Sequence, residues 1–139
     1  MSGSIPAPLT DEPIFEYHSG AQVIHPSGSW SLLLDTRGVM TLRHTVFGQQ
    51  TDLGAFPLTE PEQALLWQHI RALDLAHLRP DDRMPLPDEY CSTFILRQGG
   101  MVHRMDVWAH VAQDYPPIQA WVAAIKPLIA RYCGCDPII

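Results

Sequence analysis

Apolar and polar residues alternate over 14–18, with Phe15 and Tyr17 on one face and Ile14, Glu16 and His18 on the other. That period of two predicts a half-buried strand. The segment "WSLLLDTRGVMTLRHTVF" (30–47) reads as a hairpin turning at "DTRG". With Gly38 left-handed in a three-residue turn, Asp35 pairs with Val39, and Trp30, Leu32 and Leu34 face His44, Leu42 and Met40. A four-residue loop would set Leu33 against Met40 and Ser31 against Leu42, mixing polar with apolar, so the side chains select the first register. "DLGAF" (52–56) is read as an optional fourth strand.

The period lengthens at "PLTEPEQALLWQHIRALDLAHL" (57–78). Thr59 and Glu62 stand in capping-box spacing and Pro61 falls in the first turn, which predicts a helix start. Leu66, Ile70 and Leu73, with Leu65 and His69 beside them, form its buried face. Glu62, Gln63, Gln68 and Arg71 are expected to lie largely toward water, and the helix to end near Leu73.

"CSTFILRQGGMVHRMDVW" (91–108) predicts a second hairpin with a two-residue turn at Gly99-Gly100. Gln98 then opposes Met101, Leu96 opposes His103, Phe94 opposes Met105 and Ser92 opposes Val107 on one mostly apolar face. Thr93, Arg97, Arg104 and Asp106 occupy the other. In "PPIQAWVAAIKPLIARYCG" (116–134), Ile118, Trp121, Val122, Ile125, Leu128, Ile129 and Tyr132 recur at helical spacing. Gly134 is the expected cap and Pro127 an interior kink. The order β-β-β-(β)-α-β-β-α, with short hairpin connections, predicts a two-layer α+β fold. It comprises an antiparallel sheet of about five or six strands with two helices on one face. The expected organisation is a flexible tail over 1–13, one domain over 14–133 and a C-terminal tail over 134–139.

Composition narrows the function classes. At 139 residues and 46% hydrophobic, the chain can bury a substantial single core. A net charge of −6 with only 9 Lys and Arg, scattered along the chain, argues against nucleic acid as a partner. No apolar run approaches the roughly 20 residues of a membrane helix, and "MSGSIPAPLTDEP" has neither the basic nor the apolar region of a secretory leader. A cytoplasmic protein without membrane contact is therefore expected. The 13 prolines gather in the N-terminal tail, in "RPDDRMPLPDEY" and in "DYPPIQ", marking irregular segments.

Candidate chemistry is sparse. Cys91, Cys133 and Cys135 are too few for a disulfide framework, so reduced thiols are expected. The one-residue spacing in "YCGCD" is shorter than that of structural zinc pairs, and a Cys133–Cys135 bridge would close a tight ring over one glycine. Among 7 histidines there is no H-E-x-x-H; His69 and His77 need not share a face, and His44 and His103 read as half-buried rings at the ends of core faces. Neither G-x-S-x-G nor a phosphate-binding glycine loop occurs. Asp81-Asp82 and Asp88-Glu89 lie in a proline-rich loop, where solvation is the ordinary role of carboxylates. No catalytic residue, metal or cofactor is assigned.

"YHSGAQ", the first hairpin, "LTEPEQALLWQHIRALDLAHL", "PDEYCSTFILRQGGMVHRMDVW" and the proline-led "PPIQAWVAAIKPLIARY" together resemble the small emfourin-like domains. That family includes protein inhibitors of thermolysin-type metalloproteases. The resemblance implies a rigid sheet presenting the loop "HSGAQVIHPSGSW" (18–30) to a protease cleft. Turn formers at Pro26–Ser29 predict a surface loop, and the aperiodic apolar pair Val23 and Ile24 either folds back on the sheet edge or stays available to a partner, in which case His25 is a contact residue. The expected function is a non-enzymatic protein-binding module, with Ser19, Gly20, Ala21, Val23, Ile24 and His25 as its binding residues. The alternatives are a small metal-binding protein or metal-assisted enzyme using His and Cys, and an immunity-type or structural partner.

Overall fold

A computed structural model describes residues 13–20, 28–75, 91–98, 100–108 and 114–134. Strands β1 (Pro13–His18), β2 (Ser29–Asp35), β3 (Val39–Val46) and β4 (Gln49–Pro57) precede helix α1 (Glu60–Leu73). Strands β5 (Cys91–Gln98) and β6 (Met101–Trp108) and helix α2 (Pro116–Cys133) follow. Among the described residues the strands form a six-stranded sheet in the order β4-β3-β2-β1-β5-β6, every neighbouring pair antiparallel. The two-layer α+β architecture is as the patterning predicts.

Both predicted registers are found. Leu34 opposes Met40, Leu32 opposes Leu42 and Trp30 opposes His44, with Gly38 at φ 78° in the turn. Leu96 opposes His103 and Phe94 opposes Met105. Gly99 lies outside the described residues. β4 extends well beyond the predicted "DLGAF", beginning at Gln49 after a tight turn at Phe47-Gly48. Its first residues are exposed and polar, so hydrophobic alternation could not reveal them.

The core lies between the helices and one face of the sheet. Phe15, Tyr17, Leu32, Leu34, Met40, Leu42 and Phe94 from the sheet pack with Leu66, Ile70 and Leu73 from α1 and Ile118, Trp121, Ile125 and Ile129 from α2. Trp121 is fully buried over central β1, edge-on to Phe15 at 5.1 Å and to Tyr17 at 5.7 Å between ring centroids. α2 closes on left-handed Gly134, as its sequence predicts, with Pro127 inside it.

The α1 surface differs from expectation at two positions. Glu62 does not face water: only 8% exposed, it is turned toward α2. There its carboxylate accepts hydrogen bonds from the Tyr132 hydroxyl and Arg131 Nη1 while completing the capping box with Thr59. Leu65, placed beside the buried face, is 40% exposed. On the opposite face of the sheet, Leu33 and Ile95 flank Glu16 as its cross-strand neighbours and are both buried. Among the described residues, no helix is long and apolar enough to cross a membrane.

Candidate functional site

The antiparallel order brings one set of strand ends together: the end of β1, the start of β2, the β3–β4 turn, the start of β5 and the end of β6. Both described ends of the predicted recognition loop emerge here. Ala21, Val23, Ile24 and His25 lie outside the described residues, as do His77, the acidic pairs at 81–82 and 88–89, and Cys135.

Ser19 forms the base of the loop and is buried. Its N–H donates to the Trp30 carbonyl and its Oγ accepts from the Trp30 N–H, both at 2.8 Å, while its carbonyl accepts from Ser92 Oγ at 3.0 Å. Its polar groups are thus satisfied within the fold, so Ser19 positions the loop. Gly20 follows at φ 72°, where a Cβ would lie 1.8 Å from the Cys91 carbonyl oxygen. At the other end Gly28, at φ 69°, leaves 2.2 Å between a Cβ and the Thr45 carbonyl oxygen. Two glycines that tolerate no side chain therefore fix the loop ends against β5 and β3. Beneath them the half-buried His44 ring stacks on Trp30, centroids 4.3 Å apart and planes at 19°.

Beside this anchored base the β3–β4 hairpin projects Phe47. Val46 pairs with Gln49, so Phe47 and Gly48 form a two-residue turn, with φ 51° and 79°. Positive φ at both positions is the turn that favours Asn-Gly or Asp-Gly. A phenylalanine there is disfavoured by about 1–2 kcal/mol and gains no burial, being 62% exposed. Hydrophobic alternation ends the first hairpin at Phe47 and marks no role for it. The detectable signal was an aromatic residue before glycine between two strands.

Other chemistry is less organised. On the sheet face away from the helices, His18 shares a hydrogen bond with Ser31 Oγ at 2.8 Å, and Glu16 accepts from Arg97. A cavity of about 390 Å³ on that face is lined by Glu16, Asp35, Arg37 and Arg43 with Leu33 and Val39, and its charges are engaged in ion pairs. Among the described residues, no three His, Cys, Asp or Glu side chains converge as a metal-binding group. Cys91 keeps its thiol, whereas Cys133 is disulfide-bonded, which corrects the expectation of reduced thiols throughout.

Glu62 sits among groups that shift its titration in both directions. Burial pushes its carboxyl up, but hydrogen bonds from Tyr132 and Thr59 and the charge of Arg131 outweigh burial and hold it below its ordinary value of 4.5. Tyr132 is raised in turn, first by its hydrogen bond to Glu62 and then by burial. This pair joins the two helices. In comparisons with known proteins, no family model matches the chain and no curated protein matches it.

Proposed function

We propose that this chain is a non-enzymatic protein-binding module that engages its partner through the loop end of the sheet. One observation supports the reading: beside two glycine-fixed loop ends, a solvent-exposed phenylalanine is held in a backbone conformation that opposes stability. A strained position with no packing benefit is a reason to look for function there, and an exposed aromatic on a rigid turn suits insertion into a partner's apolar pocket. The emfourin-like resemblance supplies the partner class, a thermolysin-type metalloprotease.

The test is titration of thermolysin with the purified chain while cleavage of a quenched fluorescent peptide is followed. Saturable inhibition that weakens at least about tenfold on Phe47→Ala supports the whole reading. Uninhibited cleavage at large molar excess removes the protease as partner. Inhibition that ignores Phe47 moves the contact surface away from the hairpin tip.

A further inference from the structure

The two outer strands of the sheet are built differently. β4 carries a register shift opposite Leu42 and Arg43, a glycine at position 54 and a terminal proline at 57. These are features that discourage another strand from adding. β6 has none of them. All eight of its residues pair with β5 without a shift, from Gln98↔Met101 to Cys91↔Trp108. The two-residue connection makes Gln98↔Met101 a hydrogen-bonded pair. By the alternation of an antiparallel ladder, Val102, Arg104, Asp106 and Trp108 then direct their backbone N–H and C=O groups outward. Among the described residues no strand lies beyond them. Val102 is 60% exposed, and the side chains of Arg104 and Asp106, 62% and 48% exposed, lie 3.5 Å apart as an ion pair along the strand, with Asp106 also accepting from Thr93 Oγ1.

We propose that β6 pairs antiparallel with β6 of a second copy of this chain, about a two-fold axis at Met105, giving one sheet continuous through both copies. An axis normal to the sheet keeps both helical layers on one side and requires opposed residues to share a face, so the axis passes midway between one residue and its own copy. Centring on Arg104 or Asp106 sets two like charges opposite each other, and centring on His103 sets Val102 against an arginine. Centring on Met105 sets Arg104 opposite the partner's Asp106, and Asp106 opposite the partner's Arg104. Val102 then meets the partner's Trp108, and His103 the partner's Val107. Of these registers, this one joins opposite charges, covers the exposed valine with an indole, and pairs the outward backbone groups of all the residues named above. The surface is separate from the hairpin tip and stands whether or not a protease binds there.

Sedimentation equilibrium of the full chain is expected to show a reversible monomer–dimer equilibrium at micromolar concentration. Arg104→Asp alone and Asp106→Arg alone should each weaken the dimer at least about tenfold by opposing like charges. An equimolar mixture of the two variants should restore it, because each aspartate then faces an arginine. Val102→Lys, at an exposed position, should give the same loss and carries the test should either charge reversal fail to fold by circular dichroism. A chain that stays monomeric at millimolar concentration overturns the proposal. So does a dimer that neither reversal nor Val102→Lys weakens, or one that folded single variants lose and their mixture does not recover.

Discussion

Gly20 and Phe47 occupy the same left-handed backbone region with opposite consequences. Gly20 is there by steric necessity: Gly20→Ala would drive a methyl group into the Cys91 carbonyl. It should destabilise the chain by more than about 2 kcal/mol in urea denaturation, a loss that backbone displacement only partly relieves. Phe47 meets no such demand. Phe47→Asn should raise stability by about 1 kcal/mol, because asparagine tolerates the left-handed region, while abolishing partner binding. Opposite signs in thermal unfolding and in the inhibition assay would identify a residue kept for recognition; a stability loss would show that the ring contributes to folding. Neither role of Ser19 nor that of Phe47 was legible as sequence. Ser19 resembles any loop serine until Trp30 and Ser92, 11 and 73 residues away, close around it. At Phe47 local propensity argues against the turn that forms.

At the scale of elements, what could be read was what is local. Both hairpin registers followed from which residues must share a face, because a one-residue slip would expose the entire apolar set. The start of β4 escaped because Gln49, Gln50 and Thr51 are all exposed, leaving no alternation to detect. Glu62 was legible as a capping residue but not as a tertiary tie, since Tyr132 lies 70 residues further on. That tie makes the α1–α2 contact dependent on pH. With its folded value below 4.5, Glu62 contributes stability that is complete above that pH and is lost as pH falls through the lowered value. Tyr132, raised above 10.0, contributes stability present below that pH and lost as pH rises through the raised value. Glu62→Gln should lower stability at neutral pH by about 1–2 kcal/mol and flatten the acid limb of the stability profile. An unchanged acid limb in the variant would assign that limb to other carboxylates.

Across the whole molecule, the sheet divides into a four-stranded meander and a later hairpin, joined by the pairing of β1 with β5. On the face away from the helices that seam is bridged by Arg97 and Glu16, with Leu33 and Ile95 on either side of the carboxylate. Arg97→Met should lower stability by about 1–2 kcal/mol because it leaves a largely buried carboxylate between Leu33 and Ile95 with His18 Nε2, at 3.4 Å, as its nearest described polar partner, and pairing it with Glu16→Leu should recover much of that loss. Additive losses in the double variant would mean that the ion pair contributes no coupling. The seam also has a consequence during protein synthesis. Ser92 must reach Ser19 across 73 residues, so at bacterial to eukaryotic elongation rates of about 5–20 residues per second the inner edge of β1 waits roughly 4–15 s for its second neighbour. Through that interval Phe15 and Tyr17 lack both β5 and the covering Trp121. The nascent chain therefore offers a chaperone an open apolar strand edge that the finished protein conceals at the middle of its sheet.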